Sequence, residues 1–375
     1  MKTSKALASI SALLLTAAIT LSACSGSSGS TTTQTPATNA PATPAADTPA
    51  VTGNTGANDN AAAPLDIITL RTSTKKNCTS TPWVVGEALG IFEKHGIKIE
   101  YTGEISETLA AVLSGANDLD ADSPGTLALQ VAEGTEIIGV GFNQVDPDSD
   151  DIDRKYQHMR FYVSPDIGVT NFEELDAYNN GGELTISGVG SANCLTFIPQ
   201  QALRNNGLDP ERLSFVGYDS DTAAVQLVQQ GDLTIAGIHP PFYYLAEQEG
   251  LVRLFDSRDT GVGAASGTEI YYFTKDFVKD NPVAVQRFVD AITEAQKWGL
   301  ENPDEAVKLT GEYIGREVNA VHYFYNGSNV SGSDVPAKLI QPWIDDLIRY
   351  DALKDGQVKI SDVFDPTFIN NLSIN

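Results

Sequence analysis

Leu109-Ala110-Ala111-Val112-Leu113-Ser114-Gly115, followed by Asp118-Leu119, has a counterpart in Ala223-Ala224-Val225-Gln226-Leu227-Val228-Gln229-Gln230-Gly231, followed by Asp232-Leu233. Each stretch reads as a helix closed by glycine, then an acidic turn, then the entry to a strand. Two lobes built on one α/β pattern are the simplest account of the pair.

Working outward, strands and helices alternate on both sides of each copy. Leu65 to Leu70 runs apolar and alternating like a strand, Thr81-Pro82 suits a helix start, and Ile97 to Tyr101 reads as the next strand. Ser106 to Ser114 is a helix, Leu119 to Ala121 ends a strand, and Ser123-Pro124 opens another helix. In the second copy Leu184 to Ser187, Leu213 to Val216 and Leu233 to Ile238 are strands, with helices over Ser191 to Arg204 and Thr222 to Gln229. Such a βαβα rhythm predicts parallel-type sheets with helices on both faces. A late helical region follows, where Asn281-Pro282 and Asn302-Pro303 offer Asn caps ahead of Pro, and Val285, Phe288, Val289 and Ile292 form an apolar stripe.

The first 64 residues read differently. Lys2 and Lys5 precede an apolar run from about Ala6 to Leu21, and Leu21-Ser22-Ala23-Cys24 places small residues directly before a cysteine, the layout of a cleaved export signal. An uncleaved transmembrane helix is the other reading, but the run is short of the roughly 20 residues a span needs. From Ser25 to Pro64 the chain is almost entirely Ser, Thr, Ala, Pro, Gly and Asn with only Asp47 and Asp59 charged, a composition that cannot bury a core. Loss of residues 1–23 removes two lysines and takes the formal charge from -25 to -27. That charge argues against nucleic acid and against an electrostatic hold on anionic lipid. About 310 residues remain after the tether, enough for two lobes of roughly 100 to 200 residues each.

Leu21 to Cys24 resembles the lipobox of bacterial lipoproteins, which implies a signal peptide over 1–23 and a lipidated Cys24 beginning a tether over 24–64. Gly90-Ile91-Phe92-Glu93-Lys94-His95-Gly96-Ile97, Leu113-Ser114-Gly115 with Asp118-Leu119, Gly188-Val189-Gly190-Ser191, and Gly231-Asp232-Leu233 leading to Pro241-Phe242 carry a second resemblance. They resemble the substrate-binding proteins of bacterial ABC transporters in the nitrate, sulfonate, taurine and thiamine-pyrimidine-precursor group, a type II periplasmic-binding-protein fold. The similarity covers roughly Leu65 to Gly315. It implies one lobe from 65–163 and 268–375, a second from 164–267, and hinge crossings near Val163-Ser164-Pro165 and Gly267-Thr268-Glu269.

Ligands in open parallel sheets bind beyond the carboxyl ends of strands, where helix N-termini present free N–H groups. The segments Cys78 to Trp83, Asp122 to Thr126, Ser191 to Cys194 and His239 to Tyr243 hold that position, so Cys78, Thr79, Trp83, Asp122, Ser123, Ser191, Asn193, Cys194, His239 and Phe242 are the candidate contacts. Ordinary capping is the other reading of Ser123 and Ser191. Cys78 and Cys194 open equivalent helices, and either face each other across the cleft to pair, bind a soft metal or touch a thiophilic ligand, or simply pack. His239 suits donation to an anionic group, or a plain backbone hydrogen bond. Trp83, Phe242, Tyr243 and Tyr271 offer an aromatic wall or core. Glu104, Asp122 and Glu269 lie near strand ends or the hinge with few Lys or Arg, which favours a zwitterion or an amine-bearing ring over a simple inorganic anion.

The resemblance implies a lipid-anchored, extracytoplasmic monomer that captures a small organic solute and delivers it to an ABC permease, with no cofactor, no metal and no chemical step. The alternatives are an enzyme of a thiamine-pyrimidine-synthesis type using His239 and the cysteines, and a surface sensor or adhesin using the same cleft.

Overall fold

The structure is a computed structural model, describing residues 65–374 except Cys78, Ser106, Val189, Ser191, Asp219 and Val321. Cys24, the signal peptide and the tether lie outside the described residues. Among the described residues no helix is long and apolar enough to cross a membrane.

The first eight elements are β1 (Ile68–Thr72), α1 (Ser80–Ala88), α2 (Ile91–Lys94), β2 (Ile97–Tyr101), α3 (Thr108–Leu113), β3 (Leu119–Asp122), α4 (Pro124–Ala132) and β4 (Ile137–Phe142). The next nine are β5 (Arg160–Val163), α5 (Phe172–Ala177), β6 (Leu184–Ser187), α6 (Cys194–Asn205), β7 (Leu213–Val216), α7 (Asp221–Gln230), β8 (Ala236–Ile238), α8 (Tyr243–Gln248) and β9 (Val252–Asp256). The chain ends with β10 (Ile270–Thr274), α9 (Lys275–Asp280), α10 (Pro282–Glu301), α11 (Pro303–Ile314), α12 (Val335–Arg349), α13 (Ile360–Val363) and α14 (Thr367–Asn370).

Two sheets follow one plan. β1 and β2 pair in parallel, β3 joins β1 where the Asp118 N–H reaches the Arg71 carbonyl at 2.8 Å, and β10 lies antiparallel between β3 and β4. In the second lobe β6 and β7 pair in parallel, β8 joins β6 where Thr234 N–H meets the Thr185 carbonyl at 3.0 Å, and β5 lies antiparallel between β8 and β9. The repeat quoted first thus occupies equivalent places, the helix and turn leading into the third strand of each plan. Gly115 and Gly231 adopt φ of +72° and +79°, a left-handed closure that a side chain would strain.

The alternation of elements predicts parallel sheets, and one strand in each sheet departs from it. β5 carries a further correction. Arg160–Val163, assigned from the sequence to the end of the first lobe, is the central strand of the second sheet, with Phe161 opposite both Gly237 and Phe255. The first crossing therefore precedes Arg160. The apolar run Phe161-Tyr162-Val163 fits either lobe equally, because burial pattern alone does not name a strand's partner.

The first lobe's core gathers Leu70, Val140, Phe142, Phe273, Val285, Phe288, Val289 and Ile292, so the apolar stripe of α10 is buried as its spacing predicts. Asn302 departs from its predicted cap role. Its side chain donates to the Trp298 carbonyl at 3.0 Å and closes α10 instead of capping α11. The second lobe's core gathers Phe161, Ile186, Ile198, Leu203 and Phe255.

Helix α12 belongs to both. Leu339, Ile340 and Ile344 pack in the first core, while Trp343 stacks on Phe197 of α6 with ring centroids 3.9 Å apart. The Trp343 indole N–H donates to the Ala265 carbonyl at 2.9 Å, and Asp346 accepts from Gln201 at 2.9 Å and Arg204 at 3.3 Å. Replacing Trp343 with Ala removes a side chain that is 1% exposed. The expected loss is about 3–5 kcal/mol of unfolding free energy, read by chemical denaturation, and a loss below about 1 kcal/mol contradicts this packing role.

Candidate functional site

The ends of the parallel strands and the starts of the helices after them converge on a cavity of about 500 Å³ between the two lobes. Lys76, Asn77 and Thr79, between β1 and α1, line it from the first lobe together with Glu269, just before β10, and Arg316, just after α11. Ser220, Asp221 and Thr222 at the start of α7, His239 after β8, and Phe242 and Leu245 at α8 line it from the second.

Local sequence explains how these groups are held. Asn77 turns the chain into α1, its Oδ1 accepting from both the N–H of Thr79 at 3.0 Å and the Thr79 hydroxyl at 2.8 Å. Ser220 caps α7 by accepting the Ala223 N–H at 3.2 Å, which sets Asp221 in the first turn facing the end of β8. Asp221 then accepts from the His239 backbone N–H and from Nδ1, each at 3.2 Å. His239 Nε2 stands 3.5 Å from the Cys194 Sγ, completing a carboxylate–imidazole–thiol line. Burial opposes charge on His239, but the Asp221 carboxylate and the Cys194 sulfur outweigh it and hold the imidazole well above its usual range.

Beside this line lie two further histidines. His158 and His322 are buried, their rings stack at 4.6 Å, and their Nδ1 atoms are 3.2 Å apart. Burial, reinforced by the other imidazoles, holds both well below the usual histidine range. Arg316 lies over the Phe242 ring, 5.5 Å from its centroid, with no carboxylate among the described residues in ion-pair reach. Lys76 pairs with Glu104 at 3.4 Å in an exposed contact worth little.

The sequence-derived candidates distribute as follows. Thr79, His239, Phe242 and Glu269 line the cavity, and Cys194 touches it through His239. Glu104 reaches it only through Lys76 and is largely exposed. Ser123 caps α4, accepting the Thr126 N–H at 3.4 Å, and its hydroxyl donates across the lobes to the Ala192 carbonyl at 3.0 Å. Asp122 accepts the Ser123 N–H at 2.7 Å, and burial raises its carboxyl above the usual range. Asn193 caps α6 by backbone position only, its Oδ1 buried with no partner among the described residues. Cys78 and Ser191 lie outside the described residues. Cys194 is a free thiol facing His239.

Trp83 is a correction. It is 3% exposed and packs against Phe288 at 5.6 Å and Tyr271 at 5.8 Å, because the buried face of α1 lies on α10. Tyr243 and Tyr271 are also buried, which leaves Phe242 as the aromatic residue lining the cavity. Lys76 and Arg316 overturn the expectation of few cations. Arg316 falls one residue beyond the stretch that carries the resemblance, and nothing in its neighbours announces a site. Asp221 had a signal in the Ser220 cap, but its pairing with His239 is a tertiary fact.

Residues 154–306 match the NMT1/THI5-like family. The chain has the periplasmic-binding-protein fold. The aliphatic sulphonate-binding protein SsuA of Escherichia coli is 18% identical over 80% of this chain and 92% of its own, with a TM-score of 0.58. The alkanesulfonate-binding SsuA of Xanthomonas axonopodis pv. citri, solved with MOPS, is 16% identical over 81% of this chain and 100% of its own, with a TM-score of 0.57. The desulfurization enzyme DSZB is 14% identical over 81% of this chain and 98% of its own, with a TM-score of 0.54. No curated protein sequence matches the chain.

Asp146, which is buried, and Glu269, partly buried at the cavity wall, give the region a pH signature. Burial raises Glu269, whose Oε2 accepts from Asn143 at 3.3 Å, to about 7, and raises Asp146, which accepts the His158 N–H at 2.7 Å, to about 7. Between the ordinary carboxyl range and pH 7 the folded protein holds protons that the unfolded chain has released, so their stabilising contribution is full at low pH and lost as pH rises through 7. Glu269→Gln is expected to flatten the fall in melting temperature between pH 5 and 8, with a relative gain on the order of 2–3 kcal/mol at the upper end. Parallel wild-type and variant curves contradict the assignment.

Proposed function

We propose that this chain is the solute receptor of an ABC importer and that its solute is a small organic acid of the sulfonate class. Arg316 carries the reading: a guanidinium without a carboxylate partner among the described residues, set over Phe242 in a cavity of about 500 Å³ between two lobes. A planar donor fork suits a sulfonate or carboxylate, and the ring beneath it suits the apolar body attached to that group. His239, held cationic by Asp221, adds positive charge on one wall, and Lys76, ahead of Thr79 and α1, adds a second cation on the other. Glu269, poised near 7, gives an amine-bearing acid a second anchor. The sulfonate-binding relatives of the same fold agree with this chemistry.

The rest of the reading follows from the sequence. Cys24 anchors the mature chain by lipid on the extracytoplasmic face, residues 24–64 link the lobes to that anchor, and the lobes close about the two crossings so that a permease senses the loaded form. The Cys194–His239–Asp221 line favours one competitor, an enzyme with a thiol nucleophile.

Titration calorimetry with taurine, short alkanesulfonates and MOPS tests the receptor reading, with mass spectrometry of the recovered ligand. Reversible one-to-one binding of an unchanged ligand is expected. Arg316→Ala is expected to weaken it by about 10- to 100-fold, the worth of a charge-assisted pair. Absence of binding sinks the ligand class, and product formation replaces the receptor with the enzyme.

A further inference from the structure

Three of the chain's four histidines meet at the edge of the cleft, and a cysteine joins them. His158, Cys194 and His239 each place a ligand atom within 4.8 Å of the others. Around tetrahedral zinc, with Zn–N near 2.0–2.1 Å and Zn–S near 2.3 Å, a nitrogen and a sulfur ligand stand about 3.6 Å apart. His239 Nε2 and Cys194 Sγ are 3.5 Å apart. Two nitrogen ligands stand about 3.4 Å apart in the same geometry, so His158, within 4.8 Å of the other two ligand atoms, completes a three-ligand set by a ring movement of at most about 1.4 Å.

The outer shell is already in place. His239 directs Nδ1 at the Asp221 carboxylate 3.2 Å away, the carboxylate–histidine arrangement that fixes a metal-binding ring and raises its basicity. The His158 ring is oriented by His322, Nδ1 to Nδ1 at 3.2 Å. His322 Nε2 is buried with no hydrogen-bond partner among the described residues, a surplus of buried nitrogen that ordinary packing does not explain. One sulfur with two imidazoles selects a zinc-class cation over magnesium or calcium, and three protein ligands leave a fourth position open. Because His239 also lines the cavity, the cleft supplies the entry path.

We propose that Cys194, His239 and His158 form a zinc site at the edge of the cleft, with Asp221 and His322 orienting the two imidazoles. It goes beyond the organic-acid reading, which calorimetry on chelator-stripped protein tests separately.

The full chain, stripped with chelator and kept reduced, is titrated with zinc and with cobalt. One metal per chain is expected, and the cobalt form is expected to show a thiolate charge-transfer band in the near ultraviolet that Cys194→Ser abolishes and Cys78→Ser retains. His158→Gln is expected to weaken zinc by at least about tenfold. In the wild-type chain, where no variant has to fold, zinc is expected to slow alkylation of Cys194 by at least about tenfold, located by peptide mass. Less than one metal per chain, a band that survives Cys194→Ser or vanishes in Cys78→Ser, or alkylation of Cys194 unaffected by zinc overturns the site.

Discussion

Everything at the cleft depends on the one strand in each sheet that runs against its neighbours. β10 starts opposite the ends of β3 and β4, with Ile270 facing Asp122 and Phe142, and β5 starts opposite the ends of β8 and β9, with Arg160 facing Ile238 and Asp256. An antiparallel strand begins at the edge where its partners finish. Residues just upstream of β5 and β10 therefore share an edge with residues just downstream of the other strands. That is why Glu269 joins the cavity, and why His158, two residues before β5, lies beside His239, one residue after β8. The histidine cluster is a product of topology and not of any local motif.

The same edge sets the electrostatics. A chain with formal charge -25 brings Lys76, Arg316 and a cationic His239 to one cavity while burial keeps Glu269 near its titration point. Net charge describes the outer surface and its solubility, whereas a ligand meets the few groups that the strand ends deliver. Asp221 illustrates the distinction. Its charge is committed to His239 on two hydrogen bonds, so the acid most central to the site adds to its cationic character by holding a proton on the imidazole.

Much of this was legible in the sequence, and what was not has a physical reason. The repeated helix–glycine–Asp pattern marks equivalent places in two sheets because glycine alone takes the left-handed closure at Gly115 and Gly231 without strain. His239 and Thr79 follow from the rule that strand ends face ligands. Pairing is different. Whether Phe161 lies in one sheet or the other, whether Trp83 points at a cleft or at Phe288, and whether Arg316 meets a carboxylate depend on partners distant in the chain, to which periodicity is blind. His158 and His322 are 164 residues apart, and no spacing rule connects them.

Helix α12 constrains how such a cleft opens. The two lobes touch lightly at Ser123, whose hydroxyl donates to Ala192, and closely at Gly125, where an added Cβ would stand 2.5 Å from the Ala192 carbonyl oxygen. A hydroxyl bond of that kind exchanges with water at a net cost near 1 kcal/mol. The α12 contact is of another order. Separating Trp343 from Phe197 exposes a buried indole, and drawing Asp346 away from Gln201 and Arg204 strips a buried carboxylate of its partners. Those changes together cost several kcal/mol, a large share of the roughly 8 kcal/mol that a solute of micromolar affinity supplies on binding. A motion that parts Ser123 from Ala192 while keeping Trp343 seated on Phe197 is lower in free energy, which makes α12 the pivot of the proposed hinge and the Ser123 contact its moving edge.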